Sequence, residues 1–179
     1  MSLDDLTFPS RTSQSRRRVL ATLLLAPLAA LPAIAIARSH PPRVLFICQF
    51  GSVKSAIARE LFRRRAAERG IAAIAVSRGI QPEAHLDPRL HDLLAGQGID
   101  PARDGQHKLS RGDLRRADYT VLLDKLPPGW IGRNPRDWTD LGSFNQSYVT
   151  EEPRVKARID QLLDEIAARA HYAAGAALA

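Results

Sequence analysis

Residues Arg43-Val44-Leu45-Phe46-Ile47-Cys48 form an unbroken apolar run, closed by the lone cysteine, and a helical pattern begins near Ser55. An apolar run without alternation reads as a strand buried on both faces, the kind found in parallel sheets sandwiched by helices. The rest of the chain supplies the units such a sheet needs. Ile57, Ala58, Leu61 and Phe62 share one face of a helix expected over 55–69, and Gly70 is a natural stop. Residues 71–77 read as a second strand. Asp87-Pro88 caps and opens a helix with Leu90, Leu93 and Leu94 facing inward, ending near Gly96 or Gly98. Ser110-x-x-Asp113 has the form of a capping box, and residues 119–124 read as another buried strand. A last helix is expected from near Pro153, carrying Val155, Ile159, Leu162, Leu163 and Ile166. Strand and helix in alternation imply βαβ units and a parallel sheet covered on both faces. Ligands of such sheets bind at the carboxyl ends of the strands, here after Cys48, Ser77 and Asp124.

The segment before this pattern has a different character. No charge falls between Val19 and Ala37, and Arg16, Arg17 and Arg18 stand just ahead of that run. A basic head, an apolar middle and the small-residue triplet Ala35-Ile36-Ala37 make a secretory signal, with cleavage expected before Arg38. Ser15-Arg16-Arg17-Arg18-Val19-Leu20 also fits the twin-arginine pattern for exporting folded chains. The alternative is an uncleaved membrane anchor, since the run is near spanning length. Pro27 and Pro32 interrupt it and alanine is weakly lipophilic, which favours cleavage. The expected organisation is therefore an export signal over 1–37 and one domain over 38–179, periplasmic and without a membrane span once cleaved.

Charge narrows the partner. Lys and Arg number 26 against 19 Asp and Glu, a net charge of +7 that suits an anionic ligand. The basic residues are dispersed and aromatics make up only 6%, which does not suit nucleic-acid binding. The single cysteine excludes an intramolecular disulfide and an all-cysteine metal site. His40, His85, His91, His107 and His171 stand singly, without ligand spacing, and read as surface residues; Arg63-Arg64-Arg65 reads as a solvated helix face.

The chemistry concentrates in Cys48-Gln49-Phe50-Gly51-Ser52-Val53-Lys54-Ser55, which joins a buried strand to a helix N-terminus. Backbone N–H groups at such a turn point inward and the helix dipole adds positive charge, a geometry that accepts a phosphate-sized oxyanion. Thiols in such surroundings ionise more readily. Lys54-Ser55 superficially ends a nucleotide-binding P-loop. The two glycines which that motif needs are Cys48 and Val53 here, so the reading fails.

A strand, then Cys, five residues, a basic residue and Ser opening a helix resembles the low-molecular-weight protein tyrosine phosphatase family, whose fold also serves arsenate reductases. Val76-Ser77-Arg78-Gly79, Asp87-Pro88-Arg89, Gly98-Ile99-Asp100 and Ala117-Asp118-Tyr119 through Asp124 follow in that family's order. Asn134-Pro135-x-Asp137-Trp138-x-Asp140 resembles the approach to its general-acid loop. The resemblance implies an α/β three-layer sandwich around a central four-stranded parallel sheet, doubly wound in the flavodoxin manner. It implies Cys48 as nucleophile forming phosphocysteine, with Lys54 and the amides of Gln49, Phe50, Gly51, Ser52 and Val53 holding the phosphoryl oxygens. Ser55 would hydrogen-bond the thiolate, and Asp140 would protonate the leaving group and then activate water; Asp137 is the alternative acid. Phe50, Trp138, Phe144 and Tyr148 either wall the substrate slot or belong to the core. No cofactor or metal is implied.

Three departures bear on activity. Lys54 replaces the family's arginine, losing a two-point grip on the phosphoryl group, a change on the order of 2.7–4 kcal/mol by analogy with one oxyanion donor. Gly51 replaces an asparagine that braces the loop, and Asp140-Leu141 replaces Asp-Pro. The readings carried forward are an exported, weakened phosphomonoesterase acting on a phosphorylated protein or small phosphate ester, a catalytically silent anion-binding module of the same fold, and a thiol-dependent arsenate reductase. The last lacks the further cysteines of a thioredoxin-coupled relay.

Overall fold

Strand β1 (Arg43–Cys48) is the axis of the molecule, and Val44 to Ile47 expose no surface at all. A computed structural model describes residues 40–176, so the expected export segment lies outside the described residues. Helix α1 (Lys54–Glu68) follows, then β2 (Ile74–Gly79), α2 (Pro88–Gly96), α3 (Arg111–Arg116), β3 (Tyr119–Leu122), β4 (Pro135–Asp137) and α4 (Phe144–Ala176). The strands form one parallel sheet in the order β2-β1-β3-β4. β1 pairs Arg43 with Ile74 on one side and Val44 with Tyr119 on the other.

Alternation along β1 decides the layers. Val44, Phe46 and Cys48 face one side, where Ile57, Leu61 and Phe62 of α1 meet Val155, Ile159 and Leu163 of α4. Leu45 and Ile47 face the other, against Leu109, Leu114 and Ala117 around α3. The three-layer, four-stranded α/β sandwich expected from the sequence is the fold. Because β2 and β3 leave β1 in opposite directions, the order reverses beside β1, and the loops after β1 and β3 meet over that switch point.

Local signals explain most boundaries. Asp87 caps α2 by accepting the Arg89 N–H at 2.8 Å, with Pro88 next. Ser110 and Asp113 form the complete reciprocal capping box of α3. Gly70, at φ +63°, closes α1: its N–H donates to Ala67 O at 3.1 Å and the Ile71 N–H to Ala66 O at 2.9 Å, a Schellman pattern. That closure takes residue 71 out of the second strand, which starts at Ile74 rather than at 71.

Three other expectations are corrected. Leu93 is 41% exposed, so only Leu90 and Leu94 turn inward from α2. The last helix begins at Phe144, bends at Ser147 (φ −141°, ψ 29°) and carries Pro153 within it. Arg63, Arg64 and Arg65 are each paired rather than merely solvated: Arg63 with Glu60, Arg64 with the Gln97 and Gly98 carbonyls, Arg65 with Asp160. On the same helix Arg59 is buried and ties α1 to Ser77 Oγ at 2.8 Å and Pro101 O at 2.9 Å. Among the described residues no helix is long and apolar enough to cross a membrane.

Candidate active site

The loop leaving β1 is shaped by a contact between two glycines. Gly51 has φ +76°, and a Cβ on it would lie 2.7 Å from Gly79 N; a Cβ on Gly79 would lie 2.7 Å from Phe50 O. The loop therefore lies directly on the end of β2. Three bonds fasten it there: Ile80 N–H to Cys48 O at 3.1 Å, Gln81 N–H to Gln49 O at 2.9 Å and Glu83 N–H to Phe50 O at 3.1 Å. Ser52 Oγ accepts the His85 N–H at 3.1 Å. Glycine at position 51 does not leave the loop unbraced, as the comparison with asparagine suggests. The brace is backbone on backbone, and the space for a side chain is already filled.

This arrangement presents the thiol. Cys48 Sγ accepts the Gly51 N–H at 3.2 Å and lies 3.0 Å from Ser55 Oγ. Val53, the residue before α1, contributes no side-chain cap, and no acidic residue occupies the first turn. The positive end of that helix is thus left to a ligand. A cavity of about 300 Å³ opens here, lined among others by Cys48, Phe50, Lys54, Asp124, Leu141 and Phe144. Gln49 and Val53 line it too, and the His85 ring sits 4.5 Å from that of Phe50 at its rim. His85, read as an ordinary surface residue, is an exposed part of this wall.

Lys54 does not stand alone over the sulfur. Its ammonium donates to Leu123 O at 2.7 Å and to Asp124 Oδ1 at 2.6 Å, while Asp124 Oδ2 accepts the Gln49 N–H at 2.8 Å. Asp124 is the site residue that sequence reasoning missed. The signal was present, since it ends the strand expected at the switch point, but the pairing needs the loops after β1 and β3 side by side.

Neither candidate acid lines the cavity. Asp140 faces α4, where Arg158 binds it with Nη1 at 2.7 Å and Nη2 at 2.6 Å and Arg154 adds a contact at 2.8 Å. The Arg158 hydrogen bonds pull its carboxyl down to about 2, which favours its ionised form. Asp137 is bonded to Thr139 through N–H at 2.9 Å and Oγ1 at 2.7 Å, which holds its carboxyl below the usual range. Leu141 takes the place facing the cavity, and its N–H donates to Trp138 O at 3.1 Å, a bond that a proline there could not make. Trp138 is buried against Phe46, with ring centroids 6.1 Å apart, and belongs to the core rather than to the slot. Tyr148 is core as well: burial pushes its hydroxyl well above the ordinary value, and it packs edge-on against Phe144 at 5.9 Å. The structure thus gathers Cys48, Ser55, Lys54 and residues 49–53, and sets Asp140 and Trp138 apart. Among the described residues no three Cys, His, Asp or Glu side chains converge as metal ligands.

Residues 43–139 match the family model for low molecular weight phosphotyrosine protein phosphatases. No curated protein matches the chain. Among solved structures, the thioredoxin-dependent arsenate reductase of Corynebacterium glutamicum is 24% identical with a TM-score of 0.55, over 74% of this chain and 65% of the reductase. YfkJ from Bacillus subtilis is 22% identical with a TM-score of 0.55, over 74% of this chain and 98% of its own. The tyrosine phosphatase Wzb from Escherichia coli K30, solved with sulphate, is 14% identical with a TM-score of 0.54, over 69% of this chain and 97% of its own. At these identities the three speak for the fold.

Proposed function

The chain belongs to the low molecular weight phosphotyrosine protein phosphatase family, and on that premise we propose that it hydrolyses aryl phosphomonoesters slowly through a phosphocysteine at Cys48, outside the cytoplasm. The observation that carries this reading is the thiol between the Gly51 N–H at 3.2 Å and Ser55 Oγ at 3.0 Å, on the floor of the cavity. The Cys48 thiolate attacks phosphorus as the P–O bond to the leaving group breaks, and the electron pair departs with the phenolate. Loop amides hold the phosphoryl oxygens, and Phe50 and His85 supply a flat rim for an aromatic ring. Water then attacks the phosphocysteine, restoring the thiol and releasing phosphate. Export rests on residues 1–37 and their basic head and apolar middle.

With Asp140 turned toward α4, the leaving group departs without an internal acid. Turnover should then fall steeply as the leaving alcohol becomes less acidic, so that nitrophenyl phosphate is cleaved and alkyl phosphates are not. Asp140→Asn should change kcat on nitrophenyl phosphate by less than about threefold, against the roughly hundredfold or more expected of a working general acid. Steady-state kinetics across a series of substituted phenyl phosphates, with and without Asp140→Asn, tests both. A large loss on substitution would mean that Asp140 swings into the cavity.

A second reading, oxyanion binding without turnover, is favoured by the engagement of the Lys54 ammonium with Asp124 and Leu123 O. It is separated from the first by whether wild type and Cys48→Ser differ in turnover.

A further inference from the structure

A phosphate-binding loop gains from uncompensated positive charge, yet here a carboxylate is built into the cavity wall. Asp124 uses both oxygens: Oδ1 accepts from Lys54 Nζ at 2.6 Å and Oδ2 from the Gln49 N–H at 2.8 Å. Those two donors are the ammonium and the first loop amide after the cysteine, two of the groups an incoming oxyanion would seek. The Lys54 and Asp124 side chains are 17% and 32% exposed and both line the cavity with Cys48, so solvent screens their charges only in part. We propose that Asp124 is a resident competitor for the oxyanion: it occupies Lys54 and the Gln49 amide in the empty site and lowers the affinity of the loop for a tetrahedral oxyanion.

The consequence is that the oxyanion alone is held weakly. A free oxyanion meets the carboxylate and gains only the remaining amides. An aryl ester gains in addition the Phe50 and His85 rings, whose centroids lie 4.5 Å apart at the rim, and the apolar Leu141 and Phe144. Asp124 weakens both, and only the ester has ring contacts to offset the loss. A lysine at position 54 suits this arrangement, because its single ammonium can turn from Asp124 to the ligand, whereas a guanidinium fork has five donors with which to hold both.

This inference rests on the loop being an oxyanion cradle, and tungstate serves as a non-hydrolysable probe. Titration calorimetry at neutral pH should show Asp124→Asn binding tungstate about tenfold or more tightly than wild type, since one like charge leaves a partly screened site while an oxygen remains for the Gln49 N–H. In the double variant Lys54→Met/Asp124→Asn the gain should vanish. Asp124→Ser, which keeps a smaller acceptor, should show the same direction and decides the matter if Asp124→Asn does not fold. Equal or weaker tungstate binding by a folded Asp124 variant would overturn the proposal and make Asp124 a positioning residue for Lys54. Phosphocysteine capture by wild type reports on hydrolysis separately. A tungstate gain without phosphocysteine keeps this inference and removes turnover, while phosphocysteine without the gain does the reverse.

Discussion

Serine in place of Cys48 should abolish hydrolysis of aryl phosphates, lowering kcat by roughly 10⁴-fold or more, the scale on which loss of a nucleophile acts elsewhere. The exchange changes one atom in a buried position, and the Gly51 N–H and Ser55 Oγ remain to satisfy the new oxygen. What disappears is an atom that can be a nucleophile without a strong base beside it. A serine hydroxyl needs a general base within hydrogen-bond reach, and the side-chain oxygen bonded to position 48 is the Ser55 hydroxyl, which is no base. The variant should retain its melting temperature and its affinity for tungstate, so that the kinetic loss is read on a folded, ligand-competent protein. Unchanged turnover would locate any phosphatase activity elsewhere or in a contaminant.

The second large effect concerns Gly51, where restoring the family's asparagine should harm the protein. Asparagine tolerates the positive φ of this position, +76°, better than most residues. Its Cβ, however, would stand 2.7 Å from Gly79 N and 2.9 Å from Gly79 Cα, and both are backbone atoms of a paired strand. Relief requires loop and strand to part, at about 1–3 kcal/mol for a forced contact of this sort. Thermal denaturation should show Gly51→Asn melting roughly 3–10 °C lower. Because the Gly51 N–H touches the sulfur, the same shift should lower kcat, with about a hundredfold as the cost of a misplacement near 1 Å. A variant as stable as wild type, with higher activity, would show that the loop lacks a brace after all.

These two cases show where the sequence was readable. β1, the Gly70 stop, the Asp87 cap and the Ser110–Asp113 box were legible because each is decided by residues a few positions apart. β4 was not. Pro135-Arg136-Asp137 has no apolar run, sits at the sheet edge and is a strand only by its pairing with Thr120 to Leu122. The start of α4 was misplaced because Pro153 resembles a first-turn proline, while the chain enters the helix earlier and bends at Ser147. At the site, Cys48, Ser55 and the loop amides follow from one strand–turn–helix segment. The meaning of Gly51 depends on Gly79, that of Lys54 on Asp124 and that of Asp140 on Arg158. Those partners are brought up by the sheet order and by the return of α4, which no local pattern encodes. The departures from the family pattern are therefore not independent losses. Glycine at 51 fits the close approach of β2, and leucine at 141 makes a backbone bond closed to proline.

The central claim is that Cys48 takes up a phosphoryl group. It is tested most directly by mixing the protein with nitrophenyl phosphate, quenching in acid within the first turnovers and weighing the intact chain. The account predicts a species heavier by one phosphoryl group, mapped to the peptide containing Cys48 and missing from Cys48→Ser. Nitrophenol released with no such species at any quench time, or a phosphoryl group on another residue, would contradict it.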